Sequence, residues 1–172
     1  KWQKPNLGNS GIPWFTSLDV CDDGRFYVGT TDGRVRGYNA ITGSTERVCE
    51  LLPSKRSRGV LMVGERLLVA QSDQLGEEWR ITVHQASSGV MISEQPVNLS
   101  VVAMFRRNDG QVLLFGDRDG NGVVKDHNVQ AGGGWEPYSW NAGIAAVERL
   151  DANTFLVALD DGAIERFTWS TA

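Results

Sequence analysis

Histidine and cysteine are scarce in this sequence: His84, His127, Cys21 and Cys49 are the only ones among 172 residues. Few side chains are therefore available to bind a transition metal or to move protons near neutral pH. Long hydrophobic runs are missing as well. Apolar stretches such as Val60–Val63 and Leu67–Ala70 fall far short of the roughly 18 residues that cross a bilayer as a helix, so no membrane span is expected. No basic segment followed by an apolar stretch opens the chain, so no secretory leader is expected either. Positive charge is not in excess. The 17 basic and 21 acidic residues leave a net charge of −4, the wrong sign for a nucleic-acid footprint. No glycine-rich loop running into Lys-Ser or Lys-Thr is present to cradle a phosphate. Helical periodicity is absent, because Gly, Thr and Val interrupt every window long enough for three turns.

Glycine is abundant instead: 20 residues, about 12% against a usual share of about 7%. The glycines recur with a register. The segment Gly24–Val35 superposes without a gap on Asn153–Ile164, which places Phe26 on Phe155, Val28 on Val157 and Asp32-Gly33 on Asp161-Gly162. Val35, Tyr38 and Gly43 also shift onto Ile81, His84 and Gly89, and then onto Val124, His127 and Gly132. The spacing is about 40–46 residues, that of a repeated four-stranded unit.

Each unit contains the same four runs. A first strand (Phe15–Val20, Gly59–Val63, Leu99–Phe105, Gly143–Val147) precedes a β-rich second (Phe26–Gly29, Leu67–Ala70, Val112–Phe115, Phe155–Leu159). A turn and an alternating third strand follow, as in Arg34-Val35-Arg36 and Arg80-Ile81-Thr82-Val83. A fourth strand closes three of the units (Ser44–Leu51, Val90–Val97, Trp135–Trp140). Asp-Gly pairs at the turns supply the positive φ of tight hairpins. The chain is therefore all-β.

Tyr27–Gly43, reading YVGTTDGRVRGYNAITG, carries the pattern best, with Asp32-Gly33 at the turn between second and third strands. The chain resembles the WD-repeat and quinoprotein-like β-propellers over nearly its whole length. In that resemblance Tyr38 stands where the repeats often carry Trp, and Gly43 closes the next turn. It lacks the Gly-His and Trp-Asp pairs of full WD repeats and the tryptophan-docking signature of quinoproteins, so no quinone cofactor is implied. The implied fold is one propeller domain over residues 1–172, with four four-stranded antiparallel blades at roughly 14–51, 57–97, 98–140 and 141–172. The last unit ends before a fourth strand. Residues 2–7 would close it, giving a four-bladed ring without an unpaired edge. The alternative is part of a larger ring, completed by self-association with a second copy or by further chain.

The candidates for chemistry are few. His84 and His127 share the register position of Tyr38 and Phe167, which predicts packing rather than catalysis. Cys21 and Cys49 fall on the first and fourth strands of one blade, about 14 Å apart and beyond disulfide reach. Thiols there lean towards a reducing, cytoplasmic compartment, although the sequence leaves the location open. Asp117, Asp119 and Asn121 match positions 1, 3 and 5 of a calcium loop. Lys125 and Asn128 stand where a closing acid belongs, and the same residues suit a hairpin turn. Lys55-Arg56-Ser57-Arg58 reads as a solvated connection between blades. Arg106-Arg107 falls on the opposite rim.

One arrangement points to binding. The turns between second and third strands share a propeller face with the connections between blades. That face collects Asp32, Asp73, Glu77 and Glu78, with Trp14, Trp79 and Trp140 beside them. An acidic rim around tryptophan anchors suits a protein or peptide partner, basic or apolar in character. The expectation is a non-catalytic interaction scaffold without a cofactor. Two alternatives stay open: an enzyme or small-ligand binder using a central channel, and a calcium-dependent adhesion-type propeller. Against the first, only Asp19, Arg58, Arg106 and Glu148 bring charge to the first strands.

Overall fold

The computed structural model describes residues 15–21, 24–30, 32–53, 55–129 and 134–170. Among them every regular element is a strand, and all the sheets are antiparallel. Sheet 1 contains β1 (Phe15–Val20), β2 (Arg25–Thr30), β3 (Arg34–Asn39) and β4 (Thr45–Glu50). Sheet 2 contains β5 (Arg56–Val63), β6 (Arg66–Ser72), β7 (Trp79–Gln85) and β8 (Met91–Val97). Sheet 3 contains β9 (Ser100–Arg106), β10 (Val112–Arg118), β11 (Asn121–His127) and β12 (Gly134–Ser139). Sheet 4 contains β13 (Ile144–Arg149), β14 (Thr154–Leu159) and β15 (Ile164–Thr168). Strands lie in chain order within each sheet. The fourth strand expected from residues 2–7 lies outside the described residues. The chain divides into two compact units, residues 1–94 and 95–172.

In the first unit, the strand interiors carry the burial that the repeats demand. β6 buries every residue from Leu67 to Ser72, flanked on its two sides by β5 and β7. β3 alternates at its start, with Arg34 exposed and Val35 buried. Tyr27, Val35 and Cys49 of sheet 1 pack against Val60, Leu67 and Val69 of sheet 2. The Tyr27 hydroxyl, carried into this core, donates to the Ala86 carbonyl at 3.3 Å. Burying an aromatic side chain of this kind contributes roughly 1.5–3 kcal/mol, provided its polar end finds a partner.

The second unit has an aromatic core between sheets 3 and 4. Phe115 and Phe155 meet with ring centroids 5.1 Å apart, joined by Trp140, Ile144 and Trp169. Arg107 closes one end of this core. Its guanidinium sits 4.5 Å above the Trp169 ring and pairs with Asp126 at 2.7 Å and Asp109 at 2.6 Å.

Two expectations change here. Arg56–Arg58 belongs to β5 rather than to a solvated connection, and the Arg58 Nε donates to Ser72 Oγ at 2.7 Å. A charged stem can lie along a sheet when its head finds a hydrogen-bond acceptor. Trp140, expected as an exposed anchor, is 4% exposed and belongs to the core. Its indole N–H donates to Glu165 Oε2 at 2.9 Å, so both its ring and its polar end are engaged internally.

Candidate functional site

The turn side of the first unit is built from three connections. Asp32 and Gly33 lie at the β2–β3 hairpin, Leu51, Leu52, Pro53 and Lys55 lie between β4 and β5, and residues 73–78 join β6 to β7. The last loop is three residues longer than the first, as expected from the repeat register. It keeps its shape through Asp73, whose carboxylate accepts from the Glu77 backbone N–H at 2.8 Å. Trp79 is half-buried, and its indole N–H donates to the Gly76 carbonyl at 2.7 Å. The tryptophan is thus pinned to its own loop. At the loop's outer turn Leu75 is 80% exposed.

A cleft of about 380 Å³ lies among these connections, lined by Asp32, Glu50, Leu51, Pro53, Arg56 and Gln74, among others. Much of the expected acidic rim is neutralised within the fold. Asp32 is held by Arg36 through two contacts, 2.6 and 3.1 Å, and that guanidinium keeps its carboxyl below the usual carboxylate range. Glu78 meets Lys55 at 2.6 Å, which lowers its pKa in the same way. Glu50 is paired with Arg34 at 3.0 Å. Glu77 is exposed and has no ion pair among the described residues. Among the described residues the rim therefore keeps two carboxylates without an ion pair, Asp73 and Glu77, rather than four. Trp14 lies outside the described residues.

The cation loop resolves into a hairpin. Asp119 and Gly120 adopt φ of 54° and 79°, the two positive values of a type I′ turn between β10 and β11. The Asp117 carboxylate accepts from the Ile144 backbone N–H at 2.6 Å, and the Asn121 side chain donates to the Asp119 carbonyl. Burial raises the Asp117 pKa against that hydrogen bond, and the neighbouring Asp160 charge adds to the rise. Among the described residues no group of three His, Cys, Asp or Glu is placed to hold a metal ion.

Neither histidine reaches solvent. His84 is 0% and His127 1% exposed, on third strands as the register predicts. The charges considered for channel chemistry are partly engaged too: Asp19 accepts from the Met62 N–H at 2.7 Å.

No protein-family model matches the chain, and no curated protein matches it. Solved structures do. The computationally designed Ika4 protein aligns over 95% of both chains at 17% identity, with a TM-score of 0.65. This chain is a β-propeller. BamB from Moraxella catarrhalis aligns over 88% of the propeller and 42% of its own length, at 16% identity and a TM-score of 0.62. A chain of the mitotic checkpoint complex aligns over 85% and 44%, at 18% identity and a TM-score of 0.63. The propeller thus spans nearly all of one similar structure and under half of the other two. Its four sheets are four blades.

Leu75 was not singled out in the sequence as a candidate. Its signal was present: an apolar residue inside the one lengthened turn, where a hydrophobic side chain has no packing role.

Proposed function

We propose that this propeller is a non-catalytic protein-interaction module whose partner face is the turn side of its first unit. The observation that carries this reading is the cleft lined by Leu51, Pro53, Arg56 and Gln74, with Leu75 exposed in the adjoining loop. Loops held on rigid sheets are the usual carriers of binding function. The partner is a protein segment that brings an apolar side chain to Leu75 and the accessible part of Trp79. Glu77 adds an attraction for a basic neighbour in that segment, acting mainly on the association rate. Two further features support the reading. Both histidines are sealed from solvent, and one similar structure is a chain of a multiprotein complex.

The test compares affinity capture by the parent with Leu75→Asp, Trp79→Ala and Glu77→Lys variants, each first checked for unchanged melting. Leu150→Asp serves as the control, since Leu150 is 53% exposed in the second unit. Loss of the same captured protein with Leu75→Asp, by about 2 kcal/mol or more in binding, and its retention with Leu150→Asp are expected. Equal capture by both variants moves the site elsewhere. Unfolding of Trp79→Ala assigns that ring to packing and leaves Leu75 as the anchor under test.

A further inference from the structure

Arg56 brings to the turn side of the first unit a positive charge that the fold leaves unmatched. It opens β5, is half-buried, and lines the cleft of about 380 Å³. The other charges lining that cleft are met. Asp32 is held by Arg36, Glu50 by Arg34, and Lys55 by Glu78. Arg56 has no ion pair and no side-chain hydrogen bond among the described residues. Its register partner on β6, Ser72, is engaged elsewhere. The Ser72 hydroxyl accepts from Arg58 Nε at 2.7 Å and donates to the Asp73 carbonyl at 2.9 Å. The Arg56 guanidinium therefore keeps its planar fork of N–H donors for a ligand, and that fork matches a carboxylate.

Register places this charge beside the apolar part of the face. Arg56, Ser72 and Trp79 stand opposite one another across β5, β6 and β7. Residues directly opposite share one side of a sheet, so Arg56 and Trp79 rise on the same side. Two strand spacings separate them, about 10 Å, which is the reach of about three residues of extended chain. Leu75, 80% exposed, and Glu77 lie on the loop that leads into Trp79. The face thus offers a positive charge at β5, with an apolar group and a negative charge at the β6–β7 loop. Arg36 and Arg34 cancel most of the repulsion that Asp32 and Glu50 would exert on an incoming acid.

We propose that Arg56 determines the specificity of this face by binding the carboxylate of an aspartate or glutamate in an extended segment of the partner protein. An apolar residue about three positions away in that segment meets Leu75 and Trp79. The inference rests on the turn side of the first unit being the partner face, and adds the acidic group that the partner carries. The guanidinium gives the carboxylate two parallel hydrogen bonds, the strongest geometry open to it. A segment with an amide at that position leaves a half-buried charge desolvated and without a counter-ion, and selectivity follows from that cost. A basic residue of the same segment beside Glu77 completes the match. The recognised pattern is acid, apolar residue, base.

The experiment selects peptides from a phage-displayed random heptapeptide library on the full chain, then measures single synthetic peptides by fluorescence anisotropy. The parent is expected to enrich peptides with an acid about three positions from an apolar residue. Such a peptide is expected to bind at least about tenfold more tightly than its glutamine-for-glutamate counterpart. Arg56→Gln is expected to erase that ratio, and Arg56→Glu to select basic peptides instead. Arg56→Lys keeps the charge and loses the fork, so it is expected to narrow the ratio. An undiminished ratio in Arg56→Lys overturns the proposal even if Arg56→Gln fails to fold. Enrichment without an acid overturns it too, as does no enrichment at all. Binding abolished by the neutral change Leu75→Ser but indifferent to Arg56→Gln overturns the role of Arg56 and leaves the partner face standing. Binding indifferent to both variants overturns both. Inorganic phosphate that binds the parent more tightly than any selected peptide overturns the proposal in favour of a small anion. A dimer dissociated by Arg56→Glu overturns it in favour of a second copy.

Discussion

Thr82 Oγ1 lies 3.0 Å from His84 Nε2 inside sheet 2, and the two side chains form the middle of a buried relay. The Gln71 amide donates to Thr82 Oγ1, which leaves the threonine proton for His84 Nε2. His84 Nδ1 then donates to the Gly89 carbonyl at 3.2 Å. Only the neutral imidazole with its proton on Nδ1 satisfies every member. Burial lowers the His84 pKa, partly offset by the Gly89 bond.

The pH dependence follows from that sign. Below about 6.5 the unfolded chain takes up a proton at this histidine more readily than the folded one. The stability linked to His84 is therefore complete above that pH and declines as pH falls through the lowered folded value. His84→Phe is expected to be less stable at pH 7.5 by about 1–3 kcal/mol, through the lost hydrogen bonds. It is also expected to lose less stability than the parent between pH 7 and pH 5. Urea unfolding at several pH values measures both; parallel pH curves for the two proteins reject the account.

The hairpin at Asp119 makes a second case. A β-branched residue at its φ of 54° is strained, so Asp119→Val is expected to destabilise by about 1–2 kcal/mol. Asp119→Asn is expected to be near neutral, because Asn tolerates that conformation. If the loop is a turn and nothing more, millimolar calcium leaves the melting temperature of the parent unchanged. A calcium-dependent rise in melting temperature, abolished by Asp119→Asn, restores the cation reading.

Gly122 is held small by its neighbours. A Cβ there would lie 2.7 Å from Ile144 Cγ1 and 2.9 Å from the Ala142 carbonyl oxygen. The Gly122 N–H donates to that same carbonyl at 2.7 Å, so relief requires moving backbone. Gly122→Ala is expected to cost about 1–3 kcal/mol as an overpacking change. Gly162→Asn, at an open turn with nothing within 4 Å of a Cβ, provides the mild comparison by thermal melting.

Cys49 is 1% exposed, and burial pushes its thiol up to about 11. Alkylation needs the thiolate and access to it. In the native protein at pH 8, iodoacetamide is expected to leave Cys49 unmodified while half-buried Cys21 reacts. Both label in denaturant. Intact-mass analysis with peptide mapping decides this, and rapid native labelling of Cys49 shows that the first unit opens far more readily than its core suggests.

The strands were legible because their signals are local. The run Phe15–Val20 is β1 to the residue. Leu67–Ala70 falls inside β6, with Asp32-Gly33 and Asp119-Gly120 at turns. The lengthened loop before Trp79 was legible from the repeat register alone. The binding residues were less so. Asp32, Asp73 and Glu78 have the composition of a recognition rim, yet their carboxylates meet Arg36, the Glu77 N–H and Lys55. Lys55 and Glu78 lie 23 positions apart, a pairing to which no periodicity points.

Amphipathic alternation, turn chemistry and a repeat of about 40–46 residues determined without coordinates that this chain makes short antiparallel strands in propeller blades. Each of those signals acts between residues a few positions apart, or by counting along the chain. Which tryptophan is buried, which carboxylate is neutralised and which histidine is sealed were decided only by the tertiary structure. Those outcomes depend on the neighbouring sheet. Trp140 is core because Phe115, Phe155 and Glu165 surround it, and Glu78 is neutralised because Lys55 lies beside it. Burial and charge pairing are properties of the packed surfaces on both sides of a residue, and a strand's own sequence specifies only one of them.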